Sequence, residues 1–349
     1  MIVLIDGFSV AFRAFYALPE TLMTSTGTPT NVIHGFLSMI NKVVNDYDPK
    51  QIIITWDLPG KTFRNDIYKE YKANRSPAPD NFNVQIPLLH ELIESFNIPQ
   101  VSVEGHEADD VLGSLSNLFN QNNENVLIVT GDRDTFQLIT KKTNILYTKR
   151  GITDTDKVDE SFFKNKFGIK PSQYIEYLAL KGDPSDNIPG LAGVGEKTAI
   201  SLLQQYENID KIYKNLDELT PKLKNSFEEN KEILFISKEL ATIKTDLDLE
   251  LPTVKTSETA YLSDQVLLEA QEKVLNLELN KYTISQDENI EVENENDSKE
   301  DISENKNIEG KAYLLNFEED IYFIQKDSFG KYIGKISDLK ELIFLNSQS

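Results

Sequence analysis

Nine acidic side chains are the residues whose types and spacing are most suited to chemistry. They stand at five places in the chain. Two are single residues, Asp6 and Asp57, and three are groups: Glu107 with Asp109 and Asp110, Asp132 with Asp134, and Asp183 with Asp186. Three of them crowd into "GHEADD", just before an apolar helical pattern, and like charges this close raise each other's pKa values unless a cation lies between them. Any single acid is equally compatible with a surface position or a helix cap, since the chain has 57 acidic residues.

Short apolar runs precede most of these acids: "IVLI", "QIIITW", "IPQVSV" and "VLIVTG". Such runs are typical of buried parallel strands, and the segments between them have helical spacing, most clearly residues 31–47. Alternating strands and helices predict an α/β fold with a mostly parallel central sheet flanked by helices. In such sheets, ligands bind at the carboxyl ends of the strands. The acids that follow the runs are therefore predicted to form one cluster.

Carboxylates in a chain with no cysteine and three scattered histidines favour hard cations. Mg²⁺ is the predicted ion, Mn²⁺ is a substitute, and zinc is not expected. A group this acidic has ligands for two ions about 4 Å apart, which would stabilise the attacking and leaving oxygens of a phosphodiester during in-line displacement. Metal-dependent phosphodiester hydrolysis is therefore the leading chemistry.

A basic segment, "KTFRNDIYKEYKANR", covers residues 61–75. Its two acids are outnumbered by five basic residues, which are Lys61, Arg64, Lys69, Lys72 and Arg75. This composition predicts phosphate binding, and the interleaved tyrosines, among them Tyr71, predict stacking on a nucleic-acid base. The alternative is a solvated helix with ion pairs between neighbouring turns.

A glycine-rich turn, "IPGLAGVGEKTA", covers residues 188–199. Gly190, Gly193 and Gly195 would let backbone amides approach a phosphate at the start of a helix, and Lys197 would add positive charge. A plain turn between two helices is the alternative. The turn is not a dinucleotide-binding fingerprint, because a helical segment precedes it where that fingerprint needs a strand.

Composition limits the class of protein. The 349 residues carry a net charge of -21, and residues 286–310 contain ten acids against two lysines, which predicts an acidic disordered linker. An anionic substrate is not excluded, because bound metal ions would offset the nine carboxylates. No apolar run reaches the roughly 20 residues of a membrane span, and the first run is too short for a secretory signal. A cytoplasmic protein is expected.

Four regions follow from these patterns. Residues 1–155 are predicted to form the α/β core, and residues 156–285 a helical subdomain that contains the glycine-rich turn. The linker of residues 286–310 comes next, and residues 311–349 return to strand-like alternation.

The motifs together resemble the 5′ nuclease domain of bacterial DNA polymerase I, a member of the flap endonuclease family, over about residues 1–285. The resemblance rests on "LIDGFSVAFRAFYA", "TWDLPGKTFR", "YKEYKANRSPAPD", "GHEADD", "TGDRDTFQL" and "KGDPSDNIPGLAGVGEKTA", in this order. It implies a PIN-like nuclease core and, at residues 188–199, a helix-hairpin-helix element. Residues 311–349 look like the start of a truncated proofreading-type domain, so the polymerase domain is absent from this chain.

The resemblance also implies roles for individual residues. One divalent ion would be held by Asp6, Asp57, Glu107, Asp109 and Asp110. A second would be held by Asp132, Asp134, Asp183 and Asp186. Lys72 and Arg75 match the basic residues of an arch that holds the scissile phosphate, which makes them the expected catalytic side chains. Lys69, Tyr71 and the hairpin would contact DNA, and hairpins of this kind often bind a potassium ion.

The implied function is a structure-specific 5′–3′ exonuclease and flap endonuclease in replication and repair. Its expected partners are DNA with a 5′ flap or 5′ end and RNA–DNA primers, with no membrane, and the chain is expected to be a bacterial cytoplasmic monomer. A PIN-like ribonuclease is one alternative, although the hairpin and the pair Asp183 and Asp186 count against it. A module that binds DNA structures without catalysis is another. An acidic cation-buffering protein would need an EF-hand spacing that the sequence lacks.

Overall fold

The computed structural model describes residues 1–23, 27–151 and 154–251, together with the backbone of three strands nearer the carboxyl terminus. The chain divides into two compact units. The first comprises Met1–Thr21 with Pro29–Val274, and the second comprises Leu22–Thr28 with Leu275–Ser349. All the functional residues predicted above belong to the first unit.

A six-stranded sheet forms the centre of the first unit. Its strands are β1 (Ile2–Asp6), β2 (Gln51–Thr55), β3 (Gln100–Val101), β4 (Val126–Thr130), β5 (Thr143–Arg150) and β6 (Asp154–Val158). Their order is β3-β2-β1-β4-β5-β6. All neighbouring pairs are parallel except β5 and β6. The mostly parallel sheet that the apolar runs predict is confirmed.

The helices fall into two groups. Six lie between the strands: α1 (Gly7–Ala17), α2 (Asn31–Tyr47), α3 (Phe63–Ile67), α4 (Asp80–Asn83), α5 (Gln85–Ser95) and α6 (Ala108–Gln121). Six follow the sheet: α7 (Glu160–Phe167), α8 (Tyr174–Lys181), α9 (Glu196–Tyr206), α10 (Ile209–Lys214), α11 (Pro221–Glu229) and α12 (Lys231–Ala241). Short 3₁₀ helices occur at Asp134–Leu138, Pro171–Gln173 and Leu216–Glu218. Helix α2 has the predicted bounds.

Both faces of the sheet are buried, which is why its central strands are continuously apolar. In β1, Val3 and Ile5 belong to one core, which also contains apolar side chains of α1, α2 and α5. The alternate residue Leu4 belongs to the other core, which contains side chains of α6 and of the later helices α8, α9 and α12. The second core therefore joins the helical region to the sheet.

The sequence predicts some elements and misses others. Strands β1 to β4 lie at the four predicted apolar runs, whereas β5 and β6 were not predicted as separate strands. The linker of residues 286–310 lies outside the described residues. In the second unit, Ala312–Phe317, Asp320–Gln325 and Lys335–Ile336 form β7, β8 and β9 of an antiparallel sheet, in agreement with the strand-like alternation. No helix in the described ranges is long and apolar enough to cross a membrane.

The segment that follows α12 lies across α6 and is held there by hydrogen bonds. Ser114 Oγ accepts a hydrogen bond from the amide of Leu247 at 3.1 Å, and Asn117 Nδ2 donates to the carbonyl of Thr245 at 2.9 Å. Gly113 permits this approach, because a Cβ atom there would lie 2.7 Å from the carbonyl oxygen of Lys244.

We expect Gly113→Ala to destabilise the protein, although alanine ordinarily stabilises a helix by about 1 kcal/mol relative to glycine. The added Cβ meets backbone rather than a flexible side chain, so the segment must shift at a cost of about 1–3 kcal/mol. Chemical denaturation measures the change. The control is Ser201→Ala at an exposed position of α9. Alanine should not destabilise the helix there, because its side chain meets no backbone. Equal or greater stability of Gly113→Ala would contradict the assignment.

Candidate metal centre and nucleic-acid interface

The carboxyl edge of the sheet brings the first acids together. Asp6 ends β1, Asp57 follows β2, and Asp132 follows β4, and these three strands are adjacent and parallel. Helix α6 begins at the same edge with Glu107 as its N-cap. The amide of Ala108, its first residue, donates to Asp57 Oδ1 at 2.8 Å. The predicted gathering of strand-end acids is thus present in the structure.

Asp6 is held in place by two hydrogen bonds. Its Oδ1 accepts a hydrogen bond from the amide of Ser9 at 3.1 Å, and its Oδ2 accepts one from Thr130 Oγ1 at 2.8 Å. Burial nevertheless raises the pKa of Asp6 from 3.8 to about 7, and the charges of Asp57 and Asp132 add to that rise. The negative charge at this position is therefore poorly compensated by the protein alone.

The crowding extends across both predicted ion sites. Burial raises the pKa of Asp109, and the charges of Asp132 and Asp6 raise it further. Burial likewise raises the pKa of Asp134, with contributions from Asp132 and Asp186. Asp132 therefore faces acids of both groups, and the carboxylates form one continuous cluster.

Two basic side chains reach this cluster. Lys72 Nζ lies 2.8 Å from Glu107 Oε1 and 3.7 Å from Asp186 Oδ2, and Arg75 forms an ion pair with Asp186 Oδ1. Burial by itself would lower the pKa of Lys72, but the charges of Glu107 and Asp186 raise it on balance. The basic residues expected at the scissile phosphate thus lie beside the carboxylates.

The segment that carries these basic residues is fixed to the loop after α8. The amide of Lys72 donates to the carbonyl of Asp186 at 3.0 Å. Asn74 Nδ2 donates to Pro184 O at 2.9 Å, and Asn187 Nδ2 donates to Glu70 O at 2.7 Å. Lys72 has a φ of 56°, a left-handed conformation that costs a lysine about 1 kcal/mol. These hydrogen bonds hold it there.

Asp110 has a structural role in this arrangement. Its two carboxylate oxygens accept a bidentate pair from Arg64 at 2.7 and 2.8 Å and the amides of Glu107 at 3.1 Å and Lys244 at 2.8 Å. Four donors occupy its lone pairs, so the prediction of Asp110 as a metal ligand is corrected. Arg64 is 2% exposed and donates also to the carbonyls of Leu240 in α12 and of Thr242 just after it, so it cannot hold phosphates as the basic segment predicted.

Tyr71 is a second correction. Its side chain is 4% exposed, which leaves no ring face for a nucleic-acid base. Its hydroxyl lies 3.1 Å from Glu107 Oε2 and 3.4 Å from Asp186 Oδ2. Tyr71 therefore links a carboxylate of the sheet edge to one of the helical region and does not act as a stacking platform.

The glycine-rich turn divides into a buried part and an exposed part. Gly190 has a φ of +68° and packs against Gly182, and its amide donates to Ser237 Oγ at 3.1 Å. That amide is not available to a phosphate, which corrects the prediction for Gly190. The remaining predicted DNA contacts are exposed: Lys69, Gly193, Gly195 and Lys197. Gly195 is the N-cap of α9, so its end of the turn presents free helix amides.

The cluster consists of carboxylate oxygens, which are the ligands that hard divalent cations prefer. The carboxylates also raise one another's pKa, so a bound cation would relieve their repulsion. In the described residues, however, no three His, Cys, Asp or Glu side chains are arranged around a single ion position. Ions would therefore have to draw the carboxylates closer together. Asp183 Oδ1 accepts from the amide and hydroxyl of Ser185, whereas its Oδ2 has no hydrogen-bond partner among the described residues and is available to an ion.

Two hydroxyl residues of the site were missed by sequence reasoning. Thr130 and Ser9 contact Asp6 and the turn after β4. The sequence indicates them only weakly. Thr130 is a polar residue that ends an otherwise apolar strand just before Gly-Asp, and Ser9 lies three residues after the acid that ends β1.

Comparisons with known proteins agree with this architecture. Residues 1–168 match the N-terminal resolvase-like domain of 5′–3′ exonucleases, and residues 169–264 match their C-terminal SAM-fold domain. The chain belongs to the 5′–3′ exonuclease family, a class of nucleases, which confirms the resemblance drawn from the motifs.

Its curated relatives include DNA polymerase I of Caldicellulosiruptor bescii, 44% identical over 74% of this chain and 31% of that protein. DNA polymerase I of Bacillus subtilis is 39% identical over 76% of this chain and 30% of that protein. The chain thus spans about a third of the length of these relatives. A crystal structure of the bacteriophage T5 flap endonuclease with DNA and metal ions superposes with a TM-score of 0.59 at 20% identity, over 79% of this chain and 98% of that one. It confirms the predicted fold class.

We expect Asp110→Asn to destabilise the protein and its neighbour Asp109→Asn not to. Asp110→Asn leaves the buried Arg64 without its carboxylate and should lower the free energy of unfolding by about 3 kcal/mol. Asp109→Asn removes a crowded charge and should not lower it at pH 8 without added metal. Urea denaturation of both variants in EDTA measures the difference. Equal losses in the two variants would contradict the structural role of Asp110.

The raised pKa of Asp6 predicts a pH-dependent effect of Asp6→Asn. The folded pKa of about 7 exceeds the unfolded value of 3.8. The free energy of unfolding of the wild type is therefore unaffected by the charge of Asp6 below about pH 4, and it falls as pH rises from there to about 7. Asparagine stays neutral, so the stability of the variant relative to wild type should rise from pH 5 to pH 8, by at most about 3 kcal/mol. Denaturation in EDTA at both pH values tests this. A difference that does not change with pH would refute it.

Proposed function

We propose that this chain is a divalent-metal-dependent 5′–3′ exonuclease and flap endonuclease that hydrolyses phosphodiester bonds at the 5′ ends and flaps of DNA. The observation that carries the proposal is the cluster of mutually crowded carboxylates at the carboxyl edge of the sheet, with Lys72 and Arg75 at its margin. The DNA and metal ions in the T5 flap endonuclease structure support it by analogy.

Mg²⁺ is the proposed ion, and Mn²⁺ is a substitute. Asp6, Asp57, Glu107 and Asp109 would hold one ion, and Asp132, Asp134, Asp183 and Asp186 a second. When bound, such ions stabilise the charge that develops on the attacking and leaving oxygens of an in-line displacement. Lys72 already contacts Glu107 and Asp186, and Arg75 contacts Asp186, so both are placed to turn toward a phosphate brought to the same carboxylates.

The DNA would be held at two places. The exposed turn around Gly193 and Gly195, with Lys197, would contact the backbone of the duplex through amides and one positive charge. The segment that carries Lys72 and Arg75 would hold the strand to be cut. Contacts of this type read the shape of DNA and not its sequence, so specificity for structure is expected. RNA–DNA primers as substrates, a monomeric state, a potassium ion at the hairpin and a cytoplasmic location are further parts of the proposal.

The test uses a duplex with a labelled single-stranded 5′ flap, incubated with the purified chain in Mg²⁺, Mn²⁺ or EDTA. Short labelled products should form with the metals and not in EDTA. Asp134→Asn should abolish them, because it removes a charge from the cluster without changing side-chain shape. Lys72→Ala should slow cleavage by about 100-fold or more while changing duplex affinity little, since its contacts lie at the carboxylates and not at the exposed turn.

The controls separate the alternatives. Duplex affinity of each variant is measured by fluorescence anisotropy in Ca²⁺. Tight binding without cleavage in either metal would favour a module that binds DNA structures without catalysis. Cleavage of single-stranded RNA in preference to the flap would favour the PIN-like ribonuclease. Equal losses of cleavage and binding in Lys72→Ala would contradict the role given to Lys72.

A further inference from the structure

Thr130 occupies a position that connects the two sets of carboxylates. It is the last residue of β4 and is fully buried. Strands β1 and β4 are parallel neighbours in which Ile5 pairs with Val129, so Thr130 lies beside Asp6 at the carboxyl edge. None of the sequence motifs or family features used above assigns it a function.

One hydroxyl group of Thr130 contacts both sides of the site. Its Oγ1 donates a hydrogen bond to Asp6 Oδ2 at 2.8 Å and accepts one from the amide of Asp132 at 2.9 Å. A threonine hydroxyl has one donor and two acceptor positions, so both contacts are compatible. The side chain therefore fixes the orientation of one carboxylate and the backbone that carries another.

The same network continues along the turn after β4. Asp132 Oδ1 accepts a hydrogen bond from the amide of Asp134 at 2.9 Å, and Ser9 Oγ accepts one from the amide of Gly131 at 2.7 Å. A Cβ atom at Gly131 would lie 2.9 Å from Thr148 Oγ1, so the turn is closely packed. Three predicted metal ligands are thus connected to a single buried hydroxyl.

We infer that Thr130 is a positioning residue for the divalent-ion site: it links Asp6 to the turn of Asp132 and Asp134, so that these carboxylates stay close enough for ions to gather them. This inference rests on the proposed function. A hydrogen bond of this kind to a ligating carboxylate orients the ligand, and its loss ordinarily weakens metal binding by about 10- to 100-fold. A merely structural threonine would affect stability without a selective effect on metal affinity.

The test compares three variants of the full chain. Thr130→Val keeps the side-chain shape but removes the hydroxyl, and Thr130→Ser keeps the hydroxyl. Thr148→Val is the matched control: Thr148 is also a buried strand threonine, on β5 beside β4, and within the described residues its hydroxyl has no hydrogen-bond partner. Mn²⁺ affinity is measured by electron paramagnetic resonance of the free ion, and the Mg²⁺ dependence of flap cleavage is measured in parallel.

We expect Thr130→Val to weaken Mn²⁺ binding by about 10- to 100-fold, with Thr130→Ser close to wild type and Thr148→Val unchanged. The Mg²⁺ concentration for half-maximal cleavage should rise in the same order. Unchanged affinity in Thr130→Val, equal losses in the valine and serine variants, or an equal loss in Thr148→Val would each overturn the inference. If wild type binds Mn²⁺ but cleaves no DNA, the proposed function fails, while the affinities still decide the role of Thr130.

Discussion

Repulsion between buried carboxylates is the constraint on which the functional edge of this molecule depends. Burial and neighbouring acids raise the pKa of Asp6, Asp109 and Asp134, so the charged cluster is unfavourable by itself. The fold holds it together because parallel strands end at one edge and because both faces of the sheet are packed. Stability contributed by the apolar cores thus offsets the cost of a site that becomes favourable when cations bind.

The positive side chains near the cluster have two different tasks. Arg64 is buried in a bidentate pair with Asp110. It also donates to the carbonyls of Leu240 in α12 and of Thr242 just after it, so its charge holds α3, α6 and α12 together. Lys72 and Arg75 pair with Glu107 and Asp186 but keep some access to solvent. Unlike Arg64, these two side chains are placed to exchange a carboxylate for a phosphate, so they remain candidates for contact with the scissile phosphate.

The sequence predicts what local patterns determine. The parallel strands follow from continuous apolar runs, and the acids that end them are placed by the direction of the strands, so the cluster could be anticipated. The roles of Asp110, Tyr71 and Gly190 could not, because their partners lie far away in the chain: Lys244 for Asp110, Asp186 for Tyr71 and Ser237 for Gly190. Spacing in the sequence cannot distinguish a carboxylate that faces an ion from one already saturated by four donors.

The cluster is complete only when the helical region packs on the sheet. Glu107 belongs to the sheet edge and Asp186 to the loop after α8, and Lys72 and Tyr71 contact both. One apolar core includes residues of β1, β4, α6 and the later helices, so the two regions pack as a single structure. The same packing fixes the glycine-rich turn through Gly190 and Ser237. The distance from the exposed turn to the carboxylates is therefore set by the packing of the core.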